Sequence, residues 1–188
     1  MKNNIIGLSI LFFIVFSSCS LTSEKMNSIF NFSKTSKIDN WKIVNDDVMG
    51  GISSASFELN SEGNAEFKGT VSTANNGGFA SVRYRFRAKD IAGKKTISIR
   101  LKGDSKPYQF RVKSQANDYY SYITTFSTLG NWETIHINLE DLYPSFRGNK
   151  LNKDNFNNSS LETEYNQSLL IVIKFACSEE LISSTVLK

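Results

Sequence analysis

After Trp41 the chain alternates polar and apolar residues with a period of two. Ala65, Phe67 and Val71 alternate with Glu66, Lys68 and Thr70, and Val82, Tyr84 and Phe86 with Arg83, Arg85 and Arg87. Ile97, Ile99 and Leu101 alternate with Ser98, Arg100 and Lys102, and Tyr108, Phe110 and Val112 with Gln109, Arg111 and Lys113. Successive side chains of an extended chain point to opposite faces, so the pattern predicts strands with one face in a core and one in water. Further strands are predicted over 52–59, 120–128, 132–139 and 168–176. Turn residues punctuate them at Asn60-Ser61-Glu62-Gly63, Asn75-Asn76-Gly77-Gly78, Gly103-Asp104 and Gly130-Asn131. Short strands with no amphipathic helix between them predict an all-β fold, an antiparallel β-sandwich or jelly roll. The stretch 145–167 is long and polar, and reads as a mobile connection.

Composition agrees and narrows the chemistry. The chain has 8 Ala against 19 Asn and 26 Ser, which disfavours a helical bundle, because Asn and Ser prefer turns and caps. Two Cys and one His leave little for a disulfide scaffold, a metal cluster or an acid–base triad. Cys177, after Phe175 and Ala176, reads as a small core residue, and His136, between Ile135 and Ile137, as a solvated strand residue. Asp46 and Asp47 are adjacent, so on an extended chain they face opposite ways and make a poor carboxylate dyad. Gly93-Lys94-Lys95-Thr96 lacks the first glycine and the following helix of a phosphate loop. No catalytic set, metal site or cofactor is expected, and the chain reads as a non-enzyme.

The N-terminus reads as an address. Lys2 precedes an apolar run from Ile5 to Phe16 of about 12 residues, and Ser17, Ser18 and Cys19 follow. That run is shorter than the roughly 20 residues a bilayer-spanning helix needs, and suits a secretory signal. Phe16-Ser17-Ser18-Cys19 resembles the lipobox of bacterial lipoproteins, although Phe16 departs from the usual Leu. The expectation is a signal peptide over 1–18, a lipid on Cys19, a flexible tether over 19–36 and a sandwich domain over 37–188. Ordinary secretion is the alternative. Met26, Ile29, Phe30 and Phe32 suggest that the second half of the tether packs on the domain edge. The localisation implied is an exported, membrane-anchored lipoprotein of the bacterial cell envelope.

Arg83, Arg85, Arg87, Arg100, Lys102, Arg111 and Lys113 all fall on outward positions, and the net charge is +4. If their strands are neighbours they form one basic face, suited to anionic headgroups or an acidic partner. A solvated face that blocks edge pairing is the simpler reading. Nucleic acid is not expected as a partner of an exported protein.

One segment is not explained by alternation. In Trp41-Lys42-Ile43-Val44-Asn45-Asp46-Asp47-Val48-Met49-Gly50-Gly51-Ile52-Ser53 a strand runs into a turn with two glycines. It resembles the signature of the complex I intermediate-associated protein 30 domain. The resemblance continues through Ala65-Glu66-Phe67-Lys68-Gly69, Asn75-Asn76-Gly77-Gly78-Phe79-Ala80-Ser81-Val82-Arg83, Leu101-Lys102-Gly103-Asp104 and Tyr143-Pro144-Ser145-Phe146-Arg147-Gly148. It implies a galactose-binding-like β-sandwich and a non-enzymatic role in assembling a membrane protein complex, with a protein partner in a membrane or envelope complex. The residues it carries over as binding candidates are Asp46, Asp47, Met49, Gly50, Gly51, Asn76, Gly77, Gly78, Phe79 and Arg147. Their structural alternative is two turns packed together at one end of the sandwich. A glycan partner is the second hypothesis, with Tyr119, Tyr120, Tyr122 and Trp132 as stacking candidates. After Ala176 the chain departs from the family pattern, which reads as a truncated or frameshifted C-terminus and in that case an exposed sheet edge.

Overall fold

A computed structural model describes residues 27–115, 117–158, 168–176 and 181–187. The signal segment, Cys19 and Cys177 lie outside the described residues. Among the described residues twelve strands follow in chain order: β1 (Trp41–Asn45), β2 (Ser54–Leu59), β3 (Ala65–Val71), β4 (Phe79–Arg87), β5 (Thr96–Lys102), β6 (Pro107–Lys113), β7 (Ser121–Ser127), β8 (Trp132–Asn138), β9 (Tyr143–Phe146), β10 (Asn149–Lys150), β11 (Ser168–Ala176) and β12 (Leu181–Leu187). They form a seven-stranded sheet, ordered β1-β4-β11-β6-β7-β9-β10, and a five-stranded sheet, ordered β2-β3-β12-β5-β8. Every pairing is antiparallel. The fold is an all-β sandwich of the galactose-binding-like, jelly-roll kind.

Alternation placed the core correctly. Ala65, Phe67, Val71 and Leu101 of the small sheet meet Val82, Phe86, Phe110 and Val112 of the large one, all of them buried. At one edge of this core Trp41 stacks on Tyr84 at 4.6 Å and on Phe57 at 5.1 Å. Phe30 and Phe32 close over that stack, with centroids 5.5 and 5.2 Å from Trp41, so this part of the 19–36 span lies against the sandwich. His136 is exposed and bonds Ser98 across the β5–β8 pair at 2.9 Å.

Two expectations change. The C-terminus does not leave an open edge: β12 lies inside the small sheet, paired along seven residues with β3 and at its end with β5. The segment alternates poorly, with Ser183, Ser184 and Thr185 in succession, so its strand character is supplied by neighbours on both sides. The polar stretch 145–167 is not one continuous mobile connection either. Its start completes β9, which pairs with β7, and turns back as β10. Phe156 is then buried and donates its amide to the Leu142 carbonyl at 2.9 Å. Residues 159–167 lie outside the described residues.

Candidate functional site

The glycine-rich turn is built around one carboxylate. After β1 the chain enters a 3-10 turn, Asp46–Met49, and leaves it through Gly50, whose φ of 86° is left-handed. Asp46 points inward and is 1% exposed. Its Oδ1 accepts the Ser53 amide at 3.0 Å. Its Oδ2 accepts the Ser53 hydroxyl at 2.6 Å, the Gly78 amide at 2.6 Å and the Phe79 amide at 3.1 Å. Burial alone would raise the Asp46 pKa, but the bonds from Ser53, Phe79 and Gly78 outweigh it and hold the carboxyl below its ordinary value. Four donors thus converge on one carboxylate, three of them on Oδ2. The glycines are required by this approach: a Cβ on Gly51 would lie 2.3 Å from Asp46 Cγ, and one on Gly77 2.6 Å from Asp46 Oδ2.

This geometry brings together Asp46, Gly51, Gly77, Gly78 and Phe79 as one staple between two turns at an end of the sandwich. Asp47 and Asn76 lie beside it with exposed side chains, and Met49 contributes backbone to the 3-10 turn. Arg147 is not part of the cluster. It sits in the β9–β10 turn with φ 48°, its guanidinium 5.3 Å over Phe146, at the far edge of the large sheet from β1. The aromatic candidates also separate. Tyr119, Tyr120 and Tyr122 pack edge-on against one another, whereas Trp132 lies on β8 of the other sheet with Arg100 5.7 Å from its ring.

The basic residues divide between the two faces. Arg100 and Lys102 belong to β5 in the small sheet, on the other side of the molecule from the rest. The others gather on the outer face of the large sheet, and strand register gives their arrangement. One rung across this face reads Tyr143, Ile123, Arg111, Val172, Arg83, Lys42. In the next rung β11 sets Leu170 between Lys113 and Arg85. This face is recessed rather than flat. Ser81, Ser121, Ile123, Ser145 and Val172 share it, and each is buried at 6% exposure or less. A cleft of about 640 Å³ opens above β4 and β11, bordered by Asn40, Lys42, Arg83, Arg85, Arg87, Lys113 and Leu170.

The hydrogen bonds of the charges in this recess go to uncharged groups, and the Asp118 carboxylate lies near enough to act on Lys113. Arg83 Nε donates to Ser81 Oγ at 3.4 Å, Arg111 donates twice to Gln109 Oε1, and Lys113 Nζ donates to the Asp118 carbonyl at 2.6 Å. Among the described residues the two ion pairs, Lys68–Glu66 and Lys106–Asp104, both lie elsewhere. Burial lowers the pKa of Arg83, Arg111 and Lys113; Arg83 also lowers that of Arg111 against an opposing pull from Tyr143, and Arg83 and Arg111 lower that of Lys113 against an opposing pull from the Asp118 carboxylate. Each cation is therefore less well solvated than in water, and Arg111 and Lys113 are also crowded by neighbouring cations. Sequence alternation identified Arg83, Arg85, Arg87, Arg111 and Lys113 as outward. It missed Lys42 and Tyr143, although Lys42 is the outward polar residue between Trp41 and Ile43. No group of three metal-ligating side chains exists among the described residues.

Residues 30–164 match the sequence profile described as Complex I intermediate-associated protein 30. Among curated proteins no significant match is found. Among solved structures the chain is similar to a family 11 carbohydrate-binding module of a cellulosomal cellulase of Clostridium thermocellum. That likeness has a TM-score of 0.56 at 14% identity, covering 83% of this chain and 88% of the module. The same kind of module in complex with a β-1,3-1,4-mixed-linked tetrasaccharide gives a TM-score of 0.55 at 14% identity, covering 82% and 88%. An agarase is matched over 85% of this chain but 23% of its own length, with a TM-score of 0.52 and 14% identity. At these identities the likeness is one of fold.

Proposed function

The chain belongs to the complex I intermediate-associated protein 30 family, and we propose that it is a non-catalytic binding module that holds an envelope component in the cleft of its large sheet. A lipid on Cys19 tethers it to a membrane, and the component it holds belongs to a membrane or envelope complex under assembly. The observation that carries this reading is the recessed face itself. A face meant only for water spreads its cations outward, whereas here cations line a recess whose floor includes buried Val172. Partly burying several cations with too few counter-charges is costly, and an anionic ligand offsets that cost.

A carbohydrate is the second occupant in play. What favours it is the rung beside these cations, where Thr125 of β7 and Gln109 of β6 lie in register next to Lys174 of β11. Hydroxyl and amide groups of this kind serve the hydroxyls of a sugar. The solved neighbours named above include a module holding a tetrasaccharide.

A photo-crosslinking residue placed at Arg85, on the rim of the cleft, tests the site in cells. The expected result is one dominant crosslinked species from position 85 and none from Glu58, an exposed residue on β2 of the other sheet. Equal or absent labelling at both positions would remove the cleft from consideration. Fractionation tests the tether: Cys19→Ser is expected to move the protein from the membrane to the soluble fraction, since stable anchoring requires the acyl chains. A variant that stays in the membrane would refute lipidation at that residue.

A further inference from the structure

We infer that the cleft is a binding site for an acidic polysaccharide, an extended glycan whose carboxylates are met by the cations of β1, β4 and β6. This rests on the carbohydrate reading of the site and adds the charge of the ligand. The argument begins with spacing. Arg83 and Arg111 share one rung with β11 between them, so their Cα atoms are two strand spacings apart, or roughly 10 Å. Arg85 and Lys113 repeat that arrangement in the next rung. Lys42 lies one strand beyond Arg83, roughly 5 Å away. Along β4, Arg83, Arg85 and Arg87 follow at intervals of roughly 7 Å. The result is a grid of cations, not one anion pocket, and a grid fits a ligand with repeated charges.

Three further observations narrow the class. The bordering side chains include five cations and, among the described residues, no carboxylate. Guanidinium groups accept carboxylates in a two-pronged geometry, and four of the cations in the two rungs and along β4 are arginines. The neighbouring rung reads Thr125, Gln109, Lys174 and Ser81, so the Thr125 hydroxyl and the Gln109 amide stand among the cations, as a ligand with both carboxylates and hydroxyls requires. A bilayer surface fits less well, because Arg83, Arg111 and Lys113 are half-buried in a recess that a flat headgroup layer does not enter. An acidic protein segment would use the cations and leave the Thr125 hydroxyl and Gln109 amide idle.

The test is isothermal titration of the full-length protein, in detergent, against polygalacturonate. Controls are carboxyl-reduced polygalacturonate, a neutral mixed-linkage β-glucan, polyglutamate and vesicles containing phosphatidylserine. Arg83 and Arg111 are half-buried, so the informative variant is Arg85→Glu/Arg87→Glu, both exposed, with folding confirmed by its thermal melt. Polygalacturonate is expected to bind, to lose affinity as salt rises, and to bind the variant about tenfold more weakly or worse. Equal binding of the neutral β-glucan or of the carboxyl-reduced polymer overturns the inference and leaves the carbohydrate reading standing. Binding of polyglutamate or vesicles with no polysaccharide overturns both. Polygalacturonate binding that the variant does not weaken places the site elsewhere and overturns the inference.

Discussion

A chain shortened after Ala176 is expected to lose cooperative folding altogether. β12 is the third of five strands in the small sheet, paired with β3 through Leu181↔Val71 to Leu187↔Ala65 and with β5 at Leu187↔Leu101. Removing it separates the β2–β3 pair from the β5–β8 pair and exposes the backbone edges of β3 and β5 in the middle of the sheet. Unpaired buried amides and carbonyls cost about 1–3 kcal/mol each, and a whole domain has only about 5–15 kcal/mol in hand. Calorimetry of the shortened protein is expected to show no sharp transition, and a melt within a few degrees of the full chain would refute the placement of β12. Leu187→Ala is the milder companion. Leu187 is 2% exposed in the core between the sheets, and truncating it is expected to cost about 2–5 kcal/mol while leaving the fold intact.

Asp46→Ala is expected to lower stability by about 3–5 kcal/mol, because the amides of Ser53, Gly78 and Phe79 and the Ser53 hydroxyl lose their acceptor together. For a domain of this size that is roughly a 10 °C fall in Tm. Asp46→Asn is expected to be nearly as damaging despite its matching shape, since its NH2 turns a donor toward donors whichever way the amide is flipped. A shift of a degree or two in either variant would show that the carboxylate is not the staple. The pH dependence has a definite sign. The folded Asp46 pKa is depressed, so its contribution is fully present above the unfolded value near 3.8 and is lost as pH falls through the lower folded value. The gap in Tm between the wild-type protein and Asp46→Ala is therefore expected to be constant near neutrality and to narrow in acid. A gap that widens in acid would contradict the depressed pKa.

The strands and their facing were legible because period two is a local property. The sequence predicted strands over 168–176 and around Ala65–Val71, and β11 and β3 occupy those spans. Where the boundaries moved, long-range bonds moved them. The strand predicted from Ile52 begins at Ser54, because the Ser53 amide is already held by Asp46. β9 contains a proline and lies in a polar stretch, so its strand character comes from β7 beside it. The Asp46 motif stood out by its glycines, but its purpose did not. Two of its bonds reach residues 32 and 33 positions away, a separation that no local pattern encodes.

The basic cleft shows the same division. By itself the sequence determined which residues are outward and cationic, because alternation sets the facing of each strand. Which of them meet was decided only by strand order. β11, more than eighty residues after β4, inserts between β4 and β6 and sets Arg83 and Arg111 on one rung. β5, equally basic, joins the other sheet and takes Arg100 and Lys102 to the far side. Alternation follows from the geometry of one extended chain. Strand order follows from burying all the apolar faces at once, and that is a property of the whole molecule.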